Sequence, residues 1–146
     1  VLNIESGKVS RREELEEYLL SMALQFYAKI ASEIDKVETA WFSLPSVAKI
    51  FAKLATHDPK QEFKIQIFAK DLPAELQPVL DKTYLLDLSR VEDVEKAWER
   101  VRSEIRSTYV KAELKKLASA IASAEQKGDV TEELQARFVT LSKSLS

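Results

Sequence analysis

The chain has 146 residues, 45% hydrophobic and 32% charged, a balance that suits one folded domain, or a domain with an appendage, and excludes a wholly disordered chain. Its formal net charge of −2 argues against strong non-specific affinity for nucleic acid, which needs a basic excess. The lack of cysteine excludes disulfides and thiolate metal sites and fits a reducing cytoplasm, and no apolar run approaches the length that spans a bilayer.

Only two glycines and four prolines punctuate a sequence rich in Ala, Leu, Glu and Lys. Such composition favours long helices joined by short loops, so the expected fold class is all-α. Val1 to Ser10 is polar, contains Gly7 and lacks an initiator methionine. It reads as the end of a linker from a larger protein, although a trimmed terminus accounts for it equally well. Ser10 and Glu13 have capping-box spacing, which starts a helix at Arg11. Leu15, Tyr18, Leu19, Met22 and Phe26 then recur at steps of three and four and define one apolar face.

A shorter helical pattern covers Tyr27 to Val37 through Ile30, Ile34 and Val37. In Trp41-Phe42-Ser43-Leu44-Pro45, Ser43 or Leu44 should cap a helix whose first turn accepts Pro45, because its missing N–H costs nothing there. That helix presents Val47, Ile50, Phe51 and Leu54 and ends before Asp58-Pro59. Lys60 to Ala69 and Pro73 to Leu86 form two small elements, with Pro73 expected at a first helical position. Phe63-Lys64-Ile65-Gln66-Ile67 also alternates as a strand would, so the first of these elements has two readings.

Ser89 with Glu92 forms a second capping box, and no breaker follows until Gly128. This predicts a helix of about forty residues, roughly 55 to 60 Å long at 1.5 Å per residue, which would project beyond a small bundle. Val91, Val94, Trp98, Val101 and Ile105 mark its first seam. Thr108 and Ala112 continue it weakly, and a displaced seam begins with Val110, Leu114, Leu117, Ile121 and Ala124. A change of phase inside one helix implies a change of packing partner. Gly128 suits the left-handed position after a helix, and Asp129 or Thr131 can cap the next one. There Leu134, Phe138, Leu141 and Leu145 repeat at four, three and four, which predicts an antiparallel helical hairpin. The expected organisation is therefore a linker end at 1–10, a helical bundle at 11–106 and a C-terminal hairpin at 107–146.

Catalytic chemistry finds little support. His57 is the only histidine and has no companions at metal or acid–base spacing; beside Asp58-Pro59 it is expected near the carbonyls of a helix end. Glu13-Glu14, Glu16-Glu17, Glu92-Asp93 and Glu132-Glu133 fall in early helical turns, where the helix dipole favours negative charge. The two glycines lie far apart, so no phosphate-cradling loop exists, and Ser119 and Ser123 have no histidine to activate them. Lys111, Lys115 and Lys116 could touch nucleic acid, but Glu113 offsets them and a solvated helix face is the simpler reading. Trp41 and Trp98 could anchor an interface, yet both run in phase with apolar neighbours and read as core. Accordingly no catalytic, cofactor-binding or metal residue is assigned, and no enzymatic activity is expected of the chain.

Three stretches resemble a known family. Glu13-Glu14-Leu15-Glu16-Glu17-Tyr18-Leu19-Leu20-Ser21-Met22-Ala23-Leu24-Gln25 is similar to the opening helix of the helicase-binding C-terminal domain of bacterial replicative primase. Phe42 through Pro45 to Ile50, Phe51 and Leu54 resembles an element shared by that domain and the N-terminal domain of the replicative helicase. Ala112 to Leu145, turning at Gly128-Asp129, looks like the terminal hairpin of the primase domain. Val47 and Ala48 stand where many helicase N-terminal domains carry His-Arg, which leans away from the helicase, as does an end at Ser142-Lys143-Ser144-Leu145-Ser146 that reads as a natural C-terminus.

The resemblance implies a monomeric, cytoplasmic module that docks on the hexameric helicase and couples priming to unwinding, with zinc-binding and polymerase domains upstream. Phe138, Leu141 and Leu145, flanked by Arg137, Lys127 and Gln126, are the expected contacts, with no nucleic acid or membrane contact. The alternatives are the helicase's own primase-binding N-terminal domain and an unrelated helical adaptor.

Overall fold

A computed structural model describes residues 10–145. Most of the expected linker end, 1–9, thus lies outside the described residues. Within them every regular element is helical and no strand occurs: the fold is all-α, with a packed bundle and one long helix toward the C-terminus. No helix among the described residues is long and apolar enough to cross a membrane. Two compact units divide between Ile105 and Arg106.

In the first unit α1 spans Arg11–Gln25. Its start is the expected capping box: Glu13 N donates to Ser10 Oγ and Ser10 N to Glu13 Oε1, both at 3.1 Å. Leu19, Leu20, Met22, Ala23 and Leu24 are buried, so α1 is covered on more than the single face its spacing suggests. It packs on α2 (Tyr27–Ile30), α3 (Pro45–Leu54) and α5 (Gln77–Tyr84). Short 3₁₀ segments replace α-helix over Ala31–Lys36 and Thr39–Trp41, which shortens the α-helix expected to reach Val37.

Other boundaries also move. The element expected from Lys60 becomes α4 only at Ile65–Lys70, because Phe63 leaves the helical path to stack on Tyr27 at a ring separation of 4.6 Å. Neither the full helix nor the strand reading of Phe63–Ile67 holds. Pro73 precedes a 3₁₀ turn at Ala74–Leu76, and Pro78 instead occupies the first turn of α5.

The long helix, α6, spans Val94–Lys127 and has 34 residues rather than about forty. The Ser89 capping box does not form. Asp87 Oδ1 accepts the Ser89 N–H at 2.9 Å, and buried Leu88 pins the chain in a turn, so the helix starts after Asp93. Asp93 caps it by accepting the Lys96 N–H at 3.1 Å. Val91 therefore drops out of the helical seam and is half-buried. Val94, Ala97, Trp98, Val101 and Ile105 are buried, and Trp98 tilts against Phe51 of α3, itself stacked on Phe42 at 4.9 Å. Trp41 and Trp98 are both core residues, 4% and 1% exposed.

The start of α3 holds the largest departure from the sequence reading. Leu44 is its N-cap and offers no side-chain hydrogen bond, as a leucine must. Glu16 of α1 supplies the acceptors instead. Its carboxylate takes the Ser43 and Leu44 N–H groups and the Ser43 hydroxyl, all at 2.9 Å. Arg12 Nε lies 3.3 Å from Glu16 Oε2, and Arg12 Nη2 donates to the Trp41 carbonyl at 3.0 Å. Glu16 is wholly buried, a placement that a carboxylate tolerates only with this set of partners. The assignment of Glu16 to dipole stabilisation of its own helix is thus corrected: it caps a different helix across 27 residues of sequence.

In the second unit, α6 continues from Arg106 to Lys127 and α7 spans Glu132–Lys143. The helical hydrogen bonding is uninterrupted through Ser107–Val110, where the seam was expected to change phase. Buried Ile105 and Val110 stand five apart, so the apolar phase shifts without a break in the helix. Gly128 has φ 75° and ends α6 in a Schellman motif, with Gly128 N–H on the Glu125 carbonyl at 3.1 Å and Asp129 N–H on Ala124 at 2.9 Å. A Cβ there would meet nothing within 4 Å, so the backbone conformation alone calls for glycine. Thr131 is the N-cap of α7, its hydroxyl engaged by Gln135 Nε2 at 2.9 Å rather than by backbone.

Candidate docking surface

A 3.6-residue repeat of leucines normally marks a helix face that folding covers. In α7 it does not: no side chain of this helix is buried. Leu134, Phe138 and Leu141 are half-buried, while Leu145, Val139 and Val130 are 37%, 50% and 83% exposed. On α6, Val110 and Leu117 are buried, and Leu114, Ile121 and Ala124 are half-buried.

Within this unit the two helices line a groove of about 410 Å³. Tyr109, Glu113 and Leu117 form one wall at steps of four, and Glu133, Ala136, Arg137, Thr140 and Leu141 form the other. Both walls are i, i+4 rows, so each lies on one helical face. Arg106 Nη1 donates to the Ser144 carbonyl at 3.2 Å, which ties the last described turn to the start of the unit.

Of the contact residues expected from the sequence, Arg137 and Leu141 line this groove. Phe138 does not, and Gln126, Lys127 and Leu145 are exposed outside it. Tyr109, Glu113, Ala136 and Thr140 escaped the sequence reading because they interrupt an apolar repeat. Their common spacing of four, Tyr109 to Glu113 and Ala136 to Thr140, was the available signal. Glu113 pairs with Lys116 at 3.1 Å, and Lys111 and Lys115 are exposed.

Elsewhere the chemistry is sparse. His57 is half-buried with its ring edge-on to Tyr27 at 5.2 Å and Phe63 at 5.5 Å, and its Nε2 lies 3.2 Å from the Gln61 carbonyl. The ring therefore meets a loop carbonyl and an aromatic cluster, while the backbone N–H of His57 donates to the Leu54 carbonyl at the end of α3 at 3.0 Å. Burial, and then the nearby charge of Asp58, push the Tyr27 phenol above its ordinary value. Among the described residues no group of three or more His, Asp or Glu side chains is arranged to hold a metal ion. Compared with models of protein families, with curated proteins and with solved structures, the chain finds no match.

Proposed function

We propose that the chain is a non-catalytic protein-binding module whose α7 folds back along the second half of α6 as an antiparallel hairpin, and that this hairpin docks on the hexameric replicative helicase. The observation that carries the proposal is the apolar repeat of α7, none of whose side chains is buried. A helix with such a repeat gains most of its stability from burial against a partner. The Arg106–Ser144 hydrogen bond and the groove walls contributed by both helices support the hairpin. The helicase comes from the likeness of the Glu13–Gln25, Phe42–Leu54 and Ala112–Leu145 stretches to the primase domain. On this reading the module brings primer synthesis to the unwinding fork in the cytoplasm.

The test is a titration of the whole chain against the purified hexameric helicase, followed by anisotropy or calorimetry. Truncating Phe138 and Leu141 to alanine together should weaken binding by about tenfold or more, as loss of interface anchors does. The unfolding transition of the bundle should not move. Full affinity in the double variant would remove α7 from the interface, and no binding by the parent chain would dismiss the helicase.

A further inference from the structure

The second unit sorts its charge along its length. Between Glu125 and Glu133, around the Gly128 turn, four carboxylates stand with Lys127 as the one cation. The rest of the unit carries Arg106, Lys111, Lys115, Lys116, Arg137 and Lys143 against Glu113 alone, and Lys116 already pairs with Glu113. The turn end is therefore acidic, and the other end, where Arg106 meets the Ser144 carbonyl, is basic.

The apolar surface of the same unit is short of cover. Leu134, Phe138 and Leu141 are half-buried, and Leu141 also lines the groove with Tyr109, Leu117 and Ala136. A second copy laid antiparallel on this groove sets acidic end against basic end twice over, whereas a parallel copy opposes like charges. The detail of α7 is self-complementary too. Glu133 and Arg137 stand four apart on the groove rim, in the order that favours an ion pair within one helix. Neither makes an ion pair among the described residues. Two antiparallel α7 helices related by a twofold axis near Gln135 bring each Glu133 to the other copy's Arg137, so one sequence supplies both pairs.

We infer that the second unit of the free chain pairs with that of a second copy, antiparallel and through the groove face of α7, as a weak homodimer. The inference rests on the hairpin reading proposed above and departs from the monomer that the primase resemblance implies. Leu141 belongs both to the groove and to the apolar repeat of α7, so the second copy and the helicase compete for this surface.

Sedimentation velocity of the whole chain over a concentration series, without helicase, should show a reversible monomer–dimer equilibrium that added salt shifts toward monomer. Glu133→Arg and Arg137→Glu should each weaken dimerisation by about tenfold, because each sets like charges opposite one another. Mixed in equal amounts, the two variants should form a heterodimer nearly as tight as the parent homodimer, since every pairing across the axis is again glutamate against arginine. Both side chains are exposed, so circular dichroism and the unfolding transition should stay as in the parent chain. A parent chain that stays monomeric at its highest soluble concentration, indifference to both single reversals, or a mixture no tighter than its components would overturn the inference. The helicase titration is read separately. A monomeric parent chain whose helicase binding still falls on truncation of Phe138 and Leu141 dismisses the dimer and leaves the docking proposal standing; a dimer that ignores helicase does the reverse.

Discussion

The two halves of α6 belong to one uninterrupted helix but carry their apolar residues very differently. Before Arg106, five seam positions from Val94 to Ile105 are buried, with Trp98 at 1% exposure against Phe51. After it, only Val110 and Leu117 are buried, and α7 buries nothing. The sequence patterns of these regions are alike, since both repeat apolar residues at three and four. What differs is the number of elements packed against each. The first half closes on a unit that also contains α1, α3 and α5, whereas the second has only α7 in its unit. Amphipathic periodicity therefore reports that a helix face seeks cover, and says little about how much cover the chain itself provides.

Substitution can break this comparison. Trp98→Ala should have the largest effect, a loss of roughly 3 to 5 kcal/mol, because a large buried side chain leaves a cavity that its neighbours refill poorly. Denaturant unfolding of the first unit checks it. A loss below 1 kcal/mol would mean that the buried seam contributes no more than the exposed one.

Glu16→Ala comes next, at about 3 kcal/mol. It strands the Ser43 and Leu44 N–H groups and leaves Arg12 beside no counter-charge, and a buried pair broken on one side is strongly destabilising. Glu16→Gln keeps the acceptor oxygen and should recover part of the loss. Equal losses for both variants would show that the charge on Glu16, rather than its acceptor geometry, holds α3.

The smallest effect sharpens the contrast. Deleting 128–146 removes α7 and its turn but none of the residues buried between Leu19 and Ile105, so the unfolding transition of the first unit should stay where it is. The same deletion should abolish binding of the helicase under the proposed function. A chain that no longer folds after the deletion would contradict the division between Ile105 and Arg106.

Local chemistry explains which features were legible in the sequence. The Ser10–Glu13 capping box and the left-handed Gly128 each depend on groups within a few residues, and both stand as read; Pro45 also opens α3 as read, although its cap comes from the distant Glu16. The same reasoning failed at Ser89, where an equally good capping box lost to an Asp87 turn anchored by buried Leu88. Of the contact surface, the leucine repeat of α7 was visible and the groove walls at Tyr109, Glu113, Ala136 and Thr140 were not. A wall exists only once two helices lie side by side.

By itself the sequence determined that the chain is helical, where several helices begin, and that an apolar stripe runs along each long one. Those outcomes rest on backbone propensity, capping and periodicity, which act over one or two turns. Tertiary structure alone decided that Glu16 caps α3, that Phe63 leaves a helical path for the Tyr27 ring, and that the α7 stripe stays partly open. Each of these depends on groups far apart in the sequence and on what packs around them. A buried carboxylate and an uncovered leucine look the same in sequence as their opposites, because burial is a property of what packs around a residue and not of the residue.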